Sequence, residues 1–254
     1  MRLNRGYLRW ILWPLVCLGF QRVLADEVTV FAAVSLGESL RELAVLHEAR
    51  TADRVVFNFG ASSLLARQLT EGAPGDVFFS ADEAKMDGLE KAGKIVSNTR
   101  ITRLSNQLVI ITPKKSTALL SSPQELTNRV VERIALADPK SVPAGVYAKI
   151  YLGRLYLWKA VEPKVVPTEN VRAALAAVES GEVDAGIVYK SDVTVSQKVQ
   201  IAFEVPWNDF SEIRYPVALV SGSTHEVAAR KFMAFLSTET AAAVFRRHGF
   251  RVLE

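Results

Sequence analysis

Val28-Thr29-Val30-Phe31-Ala32-Ala33, followed by Leu36, Leu40, Leu43, Ala44 and Leu46 at helical spacing, decides the fold class. The first six residues are apolar or β-branched and predict a short buried strand, and the change to a helical period directly after it marks a strand-to-helix unit. The unit recurs twice. Val55 to Phe59 predicts a strand and Leu64 to Glu71 a helix; Asp76 to Ser80 predicts a strand and Ala84 to Ala92 a helix closed by Gly93. Three such units in succession imply an α/β layered fold with a largely parallel sheet.

A second set follows. Strands are predicted at Leu108 to Thr112 (stopped by Pro113), Arg133 to Ala137, near Lys164 to Val166, and at Ala185 to Tyr189. Helices are predicted at Pro123 to Leu126, Gly145 to Trp158 and Val171 to Ser180. The tail returns to a strand, Tyr215 to Val220, and one amphipathic helix from His225 to Arg247. No Pro/Gly-rich linker separates the sets, so crossing strands rather than a flexible tether are expected to join them.

Of the 254 residues 49% are hydrophobic and 23% charged, a globular composition that can bury a core. The excess of 31 basic over 27 acidic residues is carried by Arg2, Arg5, Arg9 and Arg22, which flank the apolar run from Trp10 to Phe20. That run is too short to span a bilayer but has the length of a signal-peptide core, and Val23-Leu24-Ala25 supplies a cleavage site after Ala25. The mature chain would then be formally neutral, which removes the charge argument for nucleic acid. Cleavage also removes Cys17, the sole cysteine, and with it disulfides, thiolate metal sites and a cysteine nucleophile. Export without disulfides fits a bacterial periplasm.

Motifs for chemistry mostly fail. Gly88 to Lys94 has P-loop glycine and lysine spacing, but Ile95 replaces the hydroxyl residue and the segment falls where a helix ends, so Gly93 is a helix-terminating glycine. There is no G-x-G-x-x-G and no G-x-S-x-G. His47, His225 and His248 do not pair at metal-ligand spacing, and His248 reads as a solvated helix end. What remains is a set of helix beginnings. Ser35 precedes Glu38 at capping-box spacing, Ser62 and Ser63 follow the second strand as caps, and Pro143-Ala144-Gly145 and Thr168-Glu169-Asn170-Val171 open two more helices. Uncapped N–H groups there would face the carboxyl edges of parallel strands, where ligands bind in such folds, and would hold an anion without lysine or arginine.

Seven ordered stretches resemble the periplasmic molybdate-binding proteins of ABC importers: Val30 to Leu36, Phe59-Gly60-Ala61-Ser62-Ser63 to Gln68, Gly72-Ala73-Pro74-Gly75-Asp76 to Asp82, Asp138-Pro139-Lys140-Ser141 to Lys149, Glu169 to Leu175, Gly186 to Asp192, and Tyr215-Pro216-Val217-Ala218. The resemblance runs from about Val28 to the C-terminus. It implies the type II periplasmic-binding-protein fold, two α/β lobes joined by a hinge, with lobe I at 26–106 and 218–254 and lobe II at 107–217. It implies oxyanion ligands at Ser35, Ser62, Ala144, Val171 and Tyr189: hydroxyl and backbone donors from the serines, backbone N–H from Ala144 and Val171, and the phenol of Tyr189. Ala61 and Val34 depart from the common family residues, Ser and Ala.

The expected ligand is molybdate or tungstate, delivered to a membrane permease by a monomer without cofactor, catalytic residues or direct metal ligands. Two alternatives remain: a protein of the same fold for another oxyanion such as sulfate or phosphate, and a secreted hydrolase using Ser35 or Ser62, which would need a basic partner.

Overall fold

The computed structural model describes residues 26–116 and 120–253, so the expected signal peptide at 1–25 lies outside the described residues. In chain order the elements are β1 (Glu27–Ala33), α1 (Gly37–Glu48), β2 (Arg54–Gly60), α2 (Ser62–Thr70), β3 (Val77–Phe79), α3 (Glu83–Lys91), β4 (Ile101–Ser105), β5 (Leu108–Pro113), β6 (Ile134–Ala137), α4 (Pro143–Arg154), α5 (Trp158–Val161), β7 (Val165–Thr168), α6 (Val171–Ser180), β8 (Ala185–Tyr189), α7 (Lys190–Val193), β9 (Val199–Glu204), β10 (Tyr215–Leu219), α8 (Glu226–Leu236), α9 (Glu239–Arg247) and β11 (Arg251–Val252).

They build two sheets, one of six strands in the order β11-β4-β10-β3-β1-β2 and one of five in the order β7-β6-β8-β5-β9. The expectation of largely parallel sheets holds for β2-β1-β3 and for β7-β6-β8. It fails for β10, β4 and β11 in the first sheet and for β5 and β9 in the second, which pair antiparallel. Each sheet is therefore mixed.

Alternation along β1 explains how the first sheet is covered on both faces. Val28, Val30 and Ala32 face a core shared with Leu36, Leu40 and Leu43, while Phe31 joins Phe78, Leu65, Leu69, Met86 and Leu89 beneath α2 and α3. Burying one such leucine completely stabilises the fold by about 1.5–3 kcal/mol. On the second sheet α4 and α6 pack against β6 and β8.

Three further expectations are corrected. The helix predicted to run to Trp158 stops at Arg154, because Tyr156 takes a left-handed φ of 59° and Leu157 donates back to the Leu152 carbonyl. The single C-terminal helix is two, broken at Ser237 and Thr238, where the Thr238 hydroxyl caps α9 by accepting from Ala241 N–H. The strands β4, β9 and β11 lie outside the predicted elements.

The chain passes between the sheets twice, at Asn106-Gln107 and between β9 and β10. The Ser105 hydroxyl donates 2.6 Å to the Ile213 carbonyl and so ties the two passages together. The lobe boundary expected at 217/218 falls inside β10, all five residues of which pair within the six-stranded sheet.

Candidate functional site

Five strands end at one place. Ser35 follows β1, Ser62 follows β2, Ala144 lies past β6, Val171 past β7, and Tyr189 is the last residue of β8. All five line one cavity, together with backbone-dominated neighbours such as Ala33, Gly60, Ala61 and Pro143, and none of the five is more than 4% exposed. The cavity measures about 20 Å³, on a scale where one water needs roughly 10–15 Å³. It has room for a compact inorganic ion. Among the described residues that line it there is no Lys, Arg, Asp or Glu.

Its chemistry comes from helix beginnings. In α4 the first residue, Pro143, has no N–H, and the first bond of this turn runs from Val146 N–H to Val142 O, which leaves the N–H of Ala144 ahead of the ladder. Gly145 makes this arrangement possible: a Cβ there would lie 1.9 Å from the Ala137 carbonyl oxygen at the end of β6. In α6 the Asn170 side chain accepts from the N–H groups of Arg172 and Ala173, so the cap passes over Val171, whose N–H stays outside it. Each of these helix starts carries partial positive charge toward the cavity.

The serines do not act as the caps that their spacing predicts. A 3₁₀ turn, Val34–Leu36, stands between β1 and α1, the cap position of α1 is Leu36, and Ser35 makes no capping bond. Its Oγ lies instead 3.1 Å from the Tyr215 hydroxyl, which is 3.1 Å from Asn106 Nδ2. Ala61 holds the cap position of α2, and Ser62 Oγ accepts from Ala81 N–H at 2.9 Å. One lone pair of Ser62 is occupied in this way, and its own proton is left free for the cavity.

Tyr189 is fully buried and its hydroxyl has no hydrogen-bond partner within the described chain. Burial, with smaller contributions from Tyr215, Tyr147 and nearby carboxylates, pushes its acidity far from the physiological range, so it remains an O–H donor. An unpartnered buried hydroxyl at a cavity wall calls for a ligand acceptor.

At the rim, Arg172 of α6 reaches Glu38 of α1 at 2.6 Å and the fully buried Asp192 at 2.6 Å, linking elements of the two sheets. Burial raises the Asp192 carboxyl to about 6, against the opposing pull of Arg172 and of the Tyr189 N–H that it accepts. Glu38, Arg172, Asp192, Asn106 and Tyr215 escaped sequence reasoning as site residues. Their partners are remote in the chain, and only the Glu38 spacing gave a local signal, which pointed to a cap that does not form.

The discarded motifs behave as read or nearly so. Gly93 ends the α3 segment with a φ of +67°. His47 is buried against Phe232 and Phe235. His248 is not the solvated end expected, since its Nε2 lies 2.8 Å from Glu42. Among the described residues no group of three or more His, Cys, Asp or Glu could hold a metal ion, and no helix is long and apolar enough to cross a membrane.

Residues 28–251 match the model of the bacterial extracellular solute-binding protein family. The chain belongs to this family. As a solute-binding protein it binds rather than catalyses, and its two mixed sheets are those of the periplasmic-binding-protein fold. It is 40% identical over 235 residues to the molybdate-binding protein ModA of Escherichia coli (strain K12), covering 90% of this chain and 91% of that one. The solved substrate binding domain of a putative molybdenum ABC transporter from Clostridium difficile superposes with a TM-score of 0.71 at 33% identity, covering 91% of this chain and all of that domain. The Azotobacter vinelandii periplasmic molybdate-binding protein shares the fold, with a TM-score of 0.81 at 23% identity over 89% of this solute-binding protein and 100% of that one.

Proposed function

We propose that this protein captures molybdate, and tungstate in the same pose, in the periplasm and delivers it to the membrane permease of an ABC importer. The observation that carries the reading is the cavity wall: Ser35, Ser62, Ala144, Val171 and Tyr189 converge on a space the size of a small ion, and each brings a donor. A tetrahedral metal-oxide dianion offers acceptors only, so a dry pocket of donors satisfies it fully. Names borne by the 40%-identical relative and the 33%-identical solved domain favour molybdate within the class of oxyanions.

In this reading residues 1–25 direct export and are removed after Ala25. The lobes divide at the two passages between the sheets, the second placed ahead of Tyr215 rather than at 217/218. Closure of the lobes on the ion, with Arg172 bridging to Glu38, presents the surface that the permease engages.

Thermal melting of the mature protein with molybdate, tungstate, sulfate and phosphate tests the proposal. A tight ligand stabilises the folded state by linkage, by about 4 kcal/mol at a thousandfold excess over Kd, and so raises the melting temperature. Molybdate and tungstate are expected to raise it strongly and phosphate not at all. Stabilisation by sulfate or phosphate alone would assign the site to a different oxyanion.

A further inference from the structure

We propose that Gly249 is a positioning residue for ion binding: its missing side chain lets the turn between α9 and β11 of lobe I seat against α7 of lobe II, and this seat holds Tyr189 and Arg172 in the arrangement that grips the ion. The inference rests on the oxyanion-binding reading and concerns a residue outside the cavity wall.

Two demands fall on this one position. Gly249 has a φ of 83°, the left-handed conformation that closes α9. A Cβ there would lie 3.2 Å from Ser191 Cα, 3.3 Å from Thr194 Cγ2 and 3.4 Å from Ser191 N. The left-handed backbone is shared by Gly72, Gly93, Gly181 and Gly222, but around each of those four a Cβ would meet nothing within 4 Å. Among the described left-handed glycines, Gly249 is thus the one whose Cβ would meet another element, and that element belongs to the other lobe.

Neither side of the seat gives way cheaply. The turn is braced to α1, where Glu42 meets Arg247 and lies 2.8 Å from His248 Nε2, and Phe250 packs on Phe245 and Tyr215. Across the seat, Ser191 Oγ accepts from Asn106 Nδ2 at 2.8 Å. The Thr194 hydroxyl donates 2.7 Å to the Ser191 carbonyl, which fixes the rotamer that brings its methyl group to the turn. The atoms offered by Ser191 are main-chain atoms, so an added methyl group at Gly249 is accommodated by parting the two lobes slightly.

What lies behind the seat connects it to the ion. Asp192, the neighbour of Ser191, accepts from Tyr189 N–H at 3.2 Å and holds Arg172 Nε at 2.6 Å, and Arg172 reaches Glu38 of α1 at 2.6 Å. Tyr189 lines the cavity, as does Val171, the residue before Arg172. The Gly249 turn is therefore a second contact of lobe I with the same unit of lobe II, besides the Arg172 to Glu38 pair. A contact between lobes favours the arrangement that contains it, and this one accompanies an ion-sized cavity, so parting it disfavours the binding arrangement.

A matched pair of variants separates backbone strain from the interlobe contact. Gly249→Ala incurs both, whereas Gly222→Ala, at a φ of 81° with open space around it, incurs the strain alone. Molybdate is titrated calorimetrically into both variants and the wild type, and the ligand-free proteins are melted. The melting temperature is expected to fall in both variants. Molybdate affinity is expected to fall about fivefold or more in Gly249→Ala and to stay within about twofold of wild type in Gly222→Ala. Gly249→Asn tolerates the left-handed backbone better than alanine and carries the same Cβ, so it takes the test should Gly249→Ala fail to fold, with the same loss of affinity expected. Gly249 variants that bind molybdate as well as Gly222→Ala does would reduce Gly249 to a helix terminator and overturn the proposal. A wild type that ignores molybdate sinks the functional reading, and the inference with it.

Discussion

Replacing Ser62 by alanine separates binding from folding, because the structure assigns its oxygen and its proton to different tasks. The oxygen accepts from Ala81 N–H at 2.9 Å in a site 1% exposed, and the proton is free for the ligand. A hydrogen bond to a charged partner contributes roughly 1.5–3 kcal/mol, so losing it should weaken molybdate binding about tenfold to a hundredfold. The Ala81 N–H, orphaned in the free and the bound protein alike, costs about 1–3 kcal/mol of stability without entering the affinity. For a chain of this size each kcal/mol lowers the melting temperature by about 2–4 °C. Calorimetric titration of molybdate and a scanning melt of the ligand-free variant give the two readings independently. Affinity within about twofold of wild type, alongside a lowered melting temperature, would make Ser62 a support for β3 and α3 rather than a ligand group.

Glu38→Gln removes the carboxylate that Arg172 meets across the two sheets; with Glu38 38% exposed on its side chain the pair should contribute no more than about 1 kcal/mol, so molybdate affinity should fall about threefold to fivefold at low salt, and the gap to wild type should narrow in titrations at high salt. Asp192 carries a pH signature: its carboxyl is raised from 3.8 to about 6, so between those values the folded chain holds a proton that the unfolded chain has released, and its contribution to stability is lost as pH rises through about 6. Denaturant melts across that window should show Asp192→Asn losing less stability with rising pH than the wild type; parallel pH profiles would contradict the assignment. Gly145→Ala should abolish the folded state or cost several kcal/mol, because the added Cβ meets the Ala137 carbonyl, whereas Gly88→Ala, with open space around it inside α3, should be neutral or stabilising by about 1 kcal/mol in the same melts.

Legibility followed the range of the interaction that fixes each element. The helix at Val171 to Ser180 was predicted residue for residue because both its ends are local: Asn170 caps the start and Gly181 closes it at a φ of 78°. The strand at Ala185 to Tyr189 is buried along its whole length and shows as an apolar run. β4 and β9 expose part of their length and are held by neighbours far along the chain, so neither gives a clean period. The break between α8 and α9 lies within a continuous amphipathic pattern, where Thr238 is a cap only because the chain turns there. At the site, the resemblance placed five residues that the structure brings to one cavity, whereas the residues' own spacing suggested caps at Ser35 and Ser62 that do not form.

That divergence follows from how the pocket is made. Where the donors are main-chain N–H groups, as at Ala144 and Val171, any side chain of tolerable size serves, and a search for chemical motifs finds nothing. What the sequence does restrict is the company those groups keep. Pro143 contributes no competing N–H, Gly145 brings no Cβ against the end of β6, and Asn170 occupies the two N–H groups beyond Val171 while leaving Val171 itself outside the cap. Ser35 pairs with the Tyr215 hydroxyl and Ser62 accepts from Ala81 N–H, rather than either serving groups of its own helix. The cavity is thus specified by what is kept away from it or turned to face it.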